Sequence, residues 1–219
     1  MIFDWAFAWH ILPQLVKALR ITIAATICGT LIAMILGLAL AAARRARSRW
    51  LAWPVAWFVE FIRGTPLLVQ MYVLFYVLPE AGIVLTPFVA GVIALGLHYS
   101  TYTSEVYRAG IEGIPRGQWD AAAALNFNRW QTFRHIIVPQ AIPPVVPALG
   151  NYIVSMFKDT PLLSAITVLE VLQQAKLIGA QTFRYIEPLT LVGALFLILS
   201  LISAAGIRVV ERKLALSKV

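Results

Sequence analysis

The sequence predicts an all-α membrane protein, a polytopic bundle of about five transmembrane helices. Three observations predict it. Of 219 residues, 60% are hydrophobic and 13% charged, with a mean hydropathy of +0.80, whereas soluble domains run at about 45–50% apolar and about 25% charged. The apolar residues gather into runs near the roughly 20 residues that a helical span needs. Lys and Arg gather between those runs, as they do in the cytoplasmic loops of membrane proteins.

The predicted spans are, in order, 19–43, 64–80, 86–107, 144–170 and 187–208. The N-terminal MIFDWAFAWH carries Asp4 and no early Lys or Arg, which argues against a cleaved signal peptide. The second span is short. Before it, LAWPVAWFVEFI (51–62) is expected to lie along the cytoplasmic interface, where Trp50, Trp53 and Trp57 have both phases within reach, and the chain then turns inward at Gly64-Thr65-Pro66. With the N-terminus outside, thirteen of the 18 basic side chains fall in inside loops. The arrangement expected is five spans, N-terminus out and C-terminus cytoplasmic, in one domain covering 1–219. The net charge of +8 is then topological rather than a nucleic-acid footprint, because no soluble basic domain exists to carry one. Cys28 is the only cysteine, which excludes an internal disulfide and a thiolate metal cluster.

The segment between the third and fourth spans, about 111–140, is polar, Ala-rich and cytoplasmic in this orientation. Within GQWDAAAALNFNRWQTFRHIIVPQA (117–141), Gln118 to Leu125 reads as a short helix by propensity. Asp120 in its first turn suits the positive end of the dipole. Asn126 can close it in the left-handed conformation. Asn128 and Gln131 form a capping-box pattern that opens a second helix, which Pro139 is expected to stop. Small Ala121 and Ala122 permit close approach, and Trp119, Phe127, Trp130 and Phe133 can fill pockets, so the loop reads as a docking element. The alternative is a segment packed on its own bundle.

This loop resembles the EAA motif of importer-type ABC transporter permeases. The match is Asp120-Ala121-Ala122, then Asn126 in the Gly place, then Ile136-Ile137-Val138-Pro139. Asp for Glu, Asn for Gly and Val for Leu are departures, of which the Asn is compatible with the same turn. Phe61–Gln70 (FIRGTPLLVQ), Tyr102–Gly110 (YTSEVYRAG), Pro147–Asn151 (PALGN) and Lys158–Leu163 (KDTPLL) are similar to the polar amino acid uptake subfamily, with Pro161 where many members carry Ser. The resemblance spans about 18–212 and is closest to ectoine and hydroxyectoine permease subunits. It implies a type I importer fold with a cytoplasmic coupling helix. The implied ATPase-docking residues are Trp119, Asp120, Ala121, Ala122, Asn126, Ile136 and Pro139. The implied partners are two ATPase subunits, a second permease subunit, an extracytoplasmic solute-binding protein and membrane lipid. ATP and magnesium belong to the ATPase; this chain has no G-x-x-x-x-G-K-[ST] phosphate loop, and no cofactor of its own is expected.

Ionised residues at mid-bilayer cost about 2.5–3.5 kcal/mol on insertion scales and generally face the bundle interior. Lys158 and Asp159 fall near the middle of the predicted fourth span, and sequence neighbours on a helix do not face each other. They suit either a zwitterionic solute or a lock between two permeases. His98, Tyr102 and Glu105 share one face of the third span and are candidates to line a translocation path; otherwise His98 packs and Glu105 pairs with Arg108. Glu60 and Arg63 read as a structural ion pair. An intramembrane hydrolase is disfavoured because the three histidines (10, 98, 135) lie in separate segments. A proton-coupled carrier or channel would use His98 and Glu105 as a relay but would not need the docking loop.

Overall fold

The computed structural model describes residues 3–46 and 48–216, and these are helices joined by short turns. Helix α1 (Trp5–Arg44) is 40 residues long, about 60 Å at 1.5 Å per residue. It starts well before the predicted span at 19 because Asp4 caps it, accepting the Phe7 N–H at 3.1 Å. Ala8, Ile11, Leu15 and Ala18 form a buried face at helical spacing, and polar His10, Lys17 and Arg20 interrupt the apolar run without interrupting the helix.

Helix α2 (Arg49–Gly64) and helix α3 (Leu67–Tyr72) meet at a bend of 102°, at the Gly64-Thr65-Pro66 corner the sequence marks. Gln70 holds this corner. Its amide Nε2 donates to the Ile62 carbonyl at 2.8 Å and the Thr65 carbonyl at 3.1 Å, satisfying acceptors left open where α2 ends. A π turn (Val73–Val77) and a 3₁₀ turn (Leu78–Ala81) finish the segment.

Helix α4 (Pro87–Glu112) is the hub, packed along α1 and against α2, α3 and α7. The approach to α1 is close: a Cβ on Gly37 would lie 2.0 Å from Thr103 Oγ1. Thr103 donates across that contact to the Ala33 carbonyl at 2.7 Å. Ser100, Thr101 and Ser104 are buried and bond to carbonyls of their own helix, which lets a helix rich in hydroxyls sit inside an apolar bundle.

Helices α5 (Arg116–Ala124) and α6 (Arg129–Thr132) make the loop. The chain then continues through a π turn (Phe133–Ile137) into α7 (Val138–Asp159) and a 3₁₀ turn (Thr160–Ile166), a continuous run of 38 residues. Two expectations are corrected here. Pro139 does not stop the helix, because the π turn at Phe133–Ile137 just before it already breaks the regular ladder that its missing N–H would otherwise interrupt. The fourth span also lies earlier than 144–170, ending in the 3₁₀ turn at Ile166. At that junction the Phe157 carbonyl, which Pro161 cannot serve, accepts the Thr160 hydroxyl at 2.7 Å.

Helix α8 (Val171–Thr182) is capped by fully buried Glu170, which accepts the Leu172 and Gln173 N–H groups at 2.8 and 2.7 Å. Helix α9 (Ile186–Leu216) closes the bundle against α7, α8 and α1. Among the described residues, three helical runs are long and apolar enough to cross a membrane (Trp5–Arg44, Arg129–Ile166 and Ile186–Lys213), and the α2–α3 segment passes the same test only as a pair bent by 102°. Helix α4, about 39 Å long, is less apolar and is shielded by the others. The N-terminal end of α1 is clasped to the turn between α8 and α9. Arg184 reaches Asp4 at 3.1 Å and Glu187 at 2.7 Å and stacks over Phe7 at 4.4 Å. The Phe7 N–H, and then Arg184, hold the Asp4 carboxyl below its ordinary range.

Candidate functional site

Two features stand apart from plain helix packing: a polar aromatic strip inside the bundle and the helical loop beyond one end of it. The strip is built on α4, mid-helix, with contributions from α2, α3 and α7. The His98 ring sits 5.2 Å from Tyr102 and 5.7 Å from Tyr99, and Tyr152 of α7 lies 5.5 Å from Tyr102. His98 Nδ1 is 3.3 Å from Gln70 Oε1, so the residue that holds the α2–α3 corner also touches the strip. The Tyr99 hydroxyl donates to Asp159 Oδ2 at 2.7 Å. The Arg63 guanidinium lies over the Tyr102 ring at 5.3 Å, within cation–π range. A carboxylate thus attaches to the strip at Tyr99 and a guanidinium at Tyr102, joined by aromatic faces.

Of the five path candidates, the structure brings His98, Tyr102 and Asp159 together. Glu105 is not among them. It pairs with Arg44, with Arg108 at 2.7 Å and with Arg63 at 3.8 Å, because one turn beyond Tyr102 the helix face enters the basic end of the bundle. Three cations surround its carboxylate, and the pairing with Arg108 is the alternative read from the sequence. Lys158 is not on the strip: its side chain is exposed, since a step of about 100° separates it from Asp159 around the helix. Both residues lie toward the far end of the Arg129–Ile166 run rather than at its middle. Glu60 and Arg63 are 3.6 Å apart, the pair read from the sequence. Tyr99, Tyr152, Gln70 and Arg63 are the members of the strip that sequence reasoning missed as site residues, Arg63 reading in the sequence only as half of an ion pair. Tyr99 and Tyr152, polar-tipped aromatics in apolar runs, are the signal that was available.

In the loop, Asn126 is left-handed with φ of 56°, closing α5. The capping box is present in both directions, with Asn128 and Gln131 exchanging bonds of 2.9 Å. The docking candidates divide by burial. Asp120, Ala121, Asn126 and Pro139 are exposed. Ala122 is 2% exposed and faces inward, so it is withdrawn from the docking face. Trp119 and Ile136 pack with Ile111 and Phe133 on the small buried cluster Ile114, Ile137 and Ala141, so they tie the loop to the spans rather than filling a partner's pocket. Leu125 and Trp130, 67% and 66% exposed, supply the apolar tips instead. Between the loop and Arg45 at the end of α1 lies a cleft of about 590 Å³ lined by Trp119, Phe127 and Trp130. Among the described residues, no three His, Cys, Asp or Glu side chains come together as a metal site.

The fold is that of an all-helical membrane bundle. Residues 29–216 match the family model for the inner membrane component of binding-protein-dependent transport systems. The chain is 50% identical over 208 residues, covering 95% of it and 90% of the relative, to the probable amino-acid ABC transporter permease y4tG of Sinorhizobium fredii. It is 33% identical to the glutamine transport system permease GlnP of Escherichia coli, covering 98% and 99% of the two chains. A solved structure of an amino acid ABC transporter with histidines superposes with a TM-score of 0.93 at 31% identity, covering 97% of this chain and all of that one. The MetNI methionine transporter shares the fold at a TM-score of 0.73 and 17% identity, covering 97% of this chain and 99% of that one. The chain belongs to the family of binding-protein-dependent transport system inner membrane components, the permeases of ABC importers.

Proposed function

We propose that the chain is the permease subunit through which an ABC importer moves a polar amino acid, or a compact amino-acid-like zwitterion, across the inner membrane. The observation that carries this reading is the pairing of Asp159 with Tyr99 and of Arg63 with Tyr102 along one aromatic strip. A zwitterion presents an ammonium and a carboxylate a few ångströms apart, and such a strip offers each a partner and offers methylene groups a ring face. The names of the relatives, which include amino-acid and glutamine permeases, support the solute class. Ectoine and hydroxyectoine are zwitterions of this kind, and the motif resemblance favours them.

In this reading the N-terminus is outside and the C-terminus cytoplasmic. One of two ATPase subunits seats on the loop of α5 and α6, a second permease takes the other and completes the pathway, and an extracytoplasmic binding protein delivers the solute. The exposed tips Ala121, Leu125 and Trp130 enter the ATPase, while Trp119 and Ile136 pass its movement into α4 and α7. A rigid element fixed to two spans transmits motion as a body, as alternating access requires.

The test is reconstitution of the four-part complex with a panel of zwitterionic, cationic, anionic and neutral solutes on the binding protein. Stimulated ATP hydrolysis and uptake confined to zwitterions is the result expected. Equal transport of neutral sugars or of inorganic ions would overturn the solute class. Uptake without the ATPase would overturn the importer mechanism.

A further inference from the structure

We propose that the groove where α1, α2 and α4 converge binds the headgroup of an anionic phospholipid. The groove holds about 320 Å³ and is lined by Arg44, Arg45, Arg49, Arg108, Trp53 and Glu112 among others. The charges there do not balance. Arg44 is committed to Glu105, and Arg108 to both Glu105 and Glu112. Arg45 has only a share of Glu112, at 3.5 Å, and among the described residues Arg49 has no carboxylate in reach. Two exposed guanidiniums therefore face one opening. Ser48 makes no side-chain cap at the start of α2, which leaves that helix end available to an anion as well.

What makes the occupant an amphiphile is the neighbouring hollow. About 430 Å³ of apolar space, lined by Arg49, Trp50, Trp53 and Pro54, adjoins the groove and shares Arg49 and Trp53 with it. Trp50 is 93% exposed and Trp53 67%, with Trp57 and Phe61 continuing the apolar surface along α2. A free phosphate would use the basic groove and leave the hollow empty; a phospholipid fills both, its phosphate on the guanidiniums and its glycerol and upper acyl chain on the indoles. Planar guanidiniums suit the two free oxygens of a phosphodiester, and indoles suit the headgroup level of a bilayer. The site rests on α2 lying along the cytoplasmic membrane surface, and it is independent of the solute class. Arg45 also borders the cleft beside the loop, so the lipid sits next to the element proposed to dock the ATPase.

The test is native mass spectrometry of the whole complex in detergent with equimolar phosphatidylglycerol and phosphatidylcholine added. Wild type is expected to retain phosphatidylglycerol preferentially. Arg45→Gln with Arg49→Gln is expected to lower that retention about twenty-five-fold, at about fivefold for each arginine at a membrane surface, while phosphatidylcholine is unchanged. The corresponding Lys pair is expected to keep most of it. Equal retention of the two lipids by wild type, or undiminished phosphatidylglycerol on the Gln pair, would overturn the site. Displacement of the lipid by soluble glycerol 3-phosphate would overturn the amphiphile in favour of a free phosphate. If the Gln pair does not assemble, Trp53→Ala reads the same site: lost preference supports it, and full preference overturns it.

Discussion

Tyr99 and Asp159 lie 60 positions apart, and their single hydrogen bond is the most direct handle on the strip. Hydrogen bonds to charged groups contribute about 1.5–3 kcal/mol, so Tyr99→Phe is expected to lower solute-stimulated uptake by about tenfold or more, with the complex still assembled. Uptake at the wild-type level would remove the pair from the pathway. Ala121 and Ala122 offer a second contrast. Ala121→Trp is expected to leave the permease folded but to weaken ATPase retention on a size-exclusion column. Ala122→Trp overpacks a buried position, at about 1–3 kcal/mol, and is expected to lower the melting temperature of the isolated permease. Reversed behaviour of the two would place the docking face on the other side of α5. At this scale, helical spacing alone grouped His98 with Tyr102, because four residues bring side chains onto one face. For Glu105 it left a choice between the path and the Arg108 pair, since two of its arginine partners, Arg44 and Arg63, come from other helices.

Among the elements, the loop was the most legible, because its structure is local. An Asn that turns the chain and an Asn–Gln box are written within six residues, and both are observed. The prediction that belongs here is Asn126→Val, which asks a β-branched residue to hold φ near 56°. It is expected to leave membrane insertion intact and abolish stimulation of ATP hydrolysis, whereas Asn126→Gly is tolerated; full stimulation by the Val variant would return the loop to plain packing. Less legible was the end of the second helix of the loop. Proline is a reliable punctuator only where a helix would otherwise need its N–H, and the π turn before α7 removes that need at Pro139. The bend between α2 and α3 was readable from Gly64-Thr65-Pro66, but the part Gln70 plays in holding it was not, because that part depends on a carbonyl eight residues back.

For the molecule as a whole, the membrane class and the helical architecture follow from composition and hydropathy, and the correction lies at the N-terminal end, where α1 begins with a half-polar stretch that a hydropathy window passes over. Its clasp to Arg184 gives an acid signature. The Asp4 carboxyl is held below its ordinary value of 3.8, so the clasp's contribution is present above that value and is lost as pH falls through the lower, folded one. Thermal unfolding of the permease in detergent is expected to show an added loss of stability below about pH 4 that Asp4→Asn lacks; identical profiles would exclude Asp4 as its source. The orientation has its own test. After Cys28→Ser, a cysteine at Gln118 is expected to react with impermeant reagents from the cytoplasmic side and one at Gln181 from outside. Labelling with the sides exchanged would invert the topology.

The π turn at Phe133–Ile137 also bears on insertions and deletions. A π turn holds one residue more than the α-helix it interrupts, and one residue is about 100° of azimuth. That surplus residue sets the angular phase between the loop and the 22-residue helix α7. Losing it would convert the stretch to regular helix and swing the loop by more than a quarter turn about the α7 axis, with every side chain on either side unchanged. The length of this stretch is therefore under tighter constraint than its composition, and a relative differing by one residue here would present the same face in a different direction.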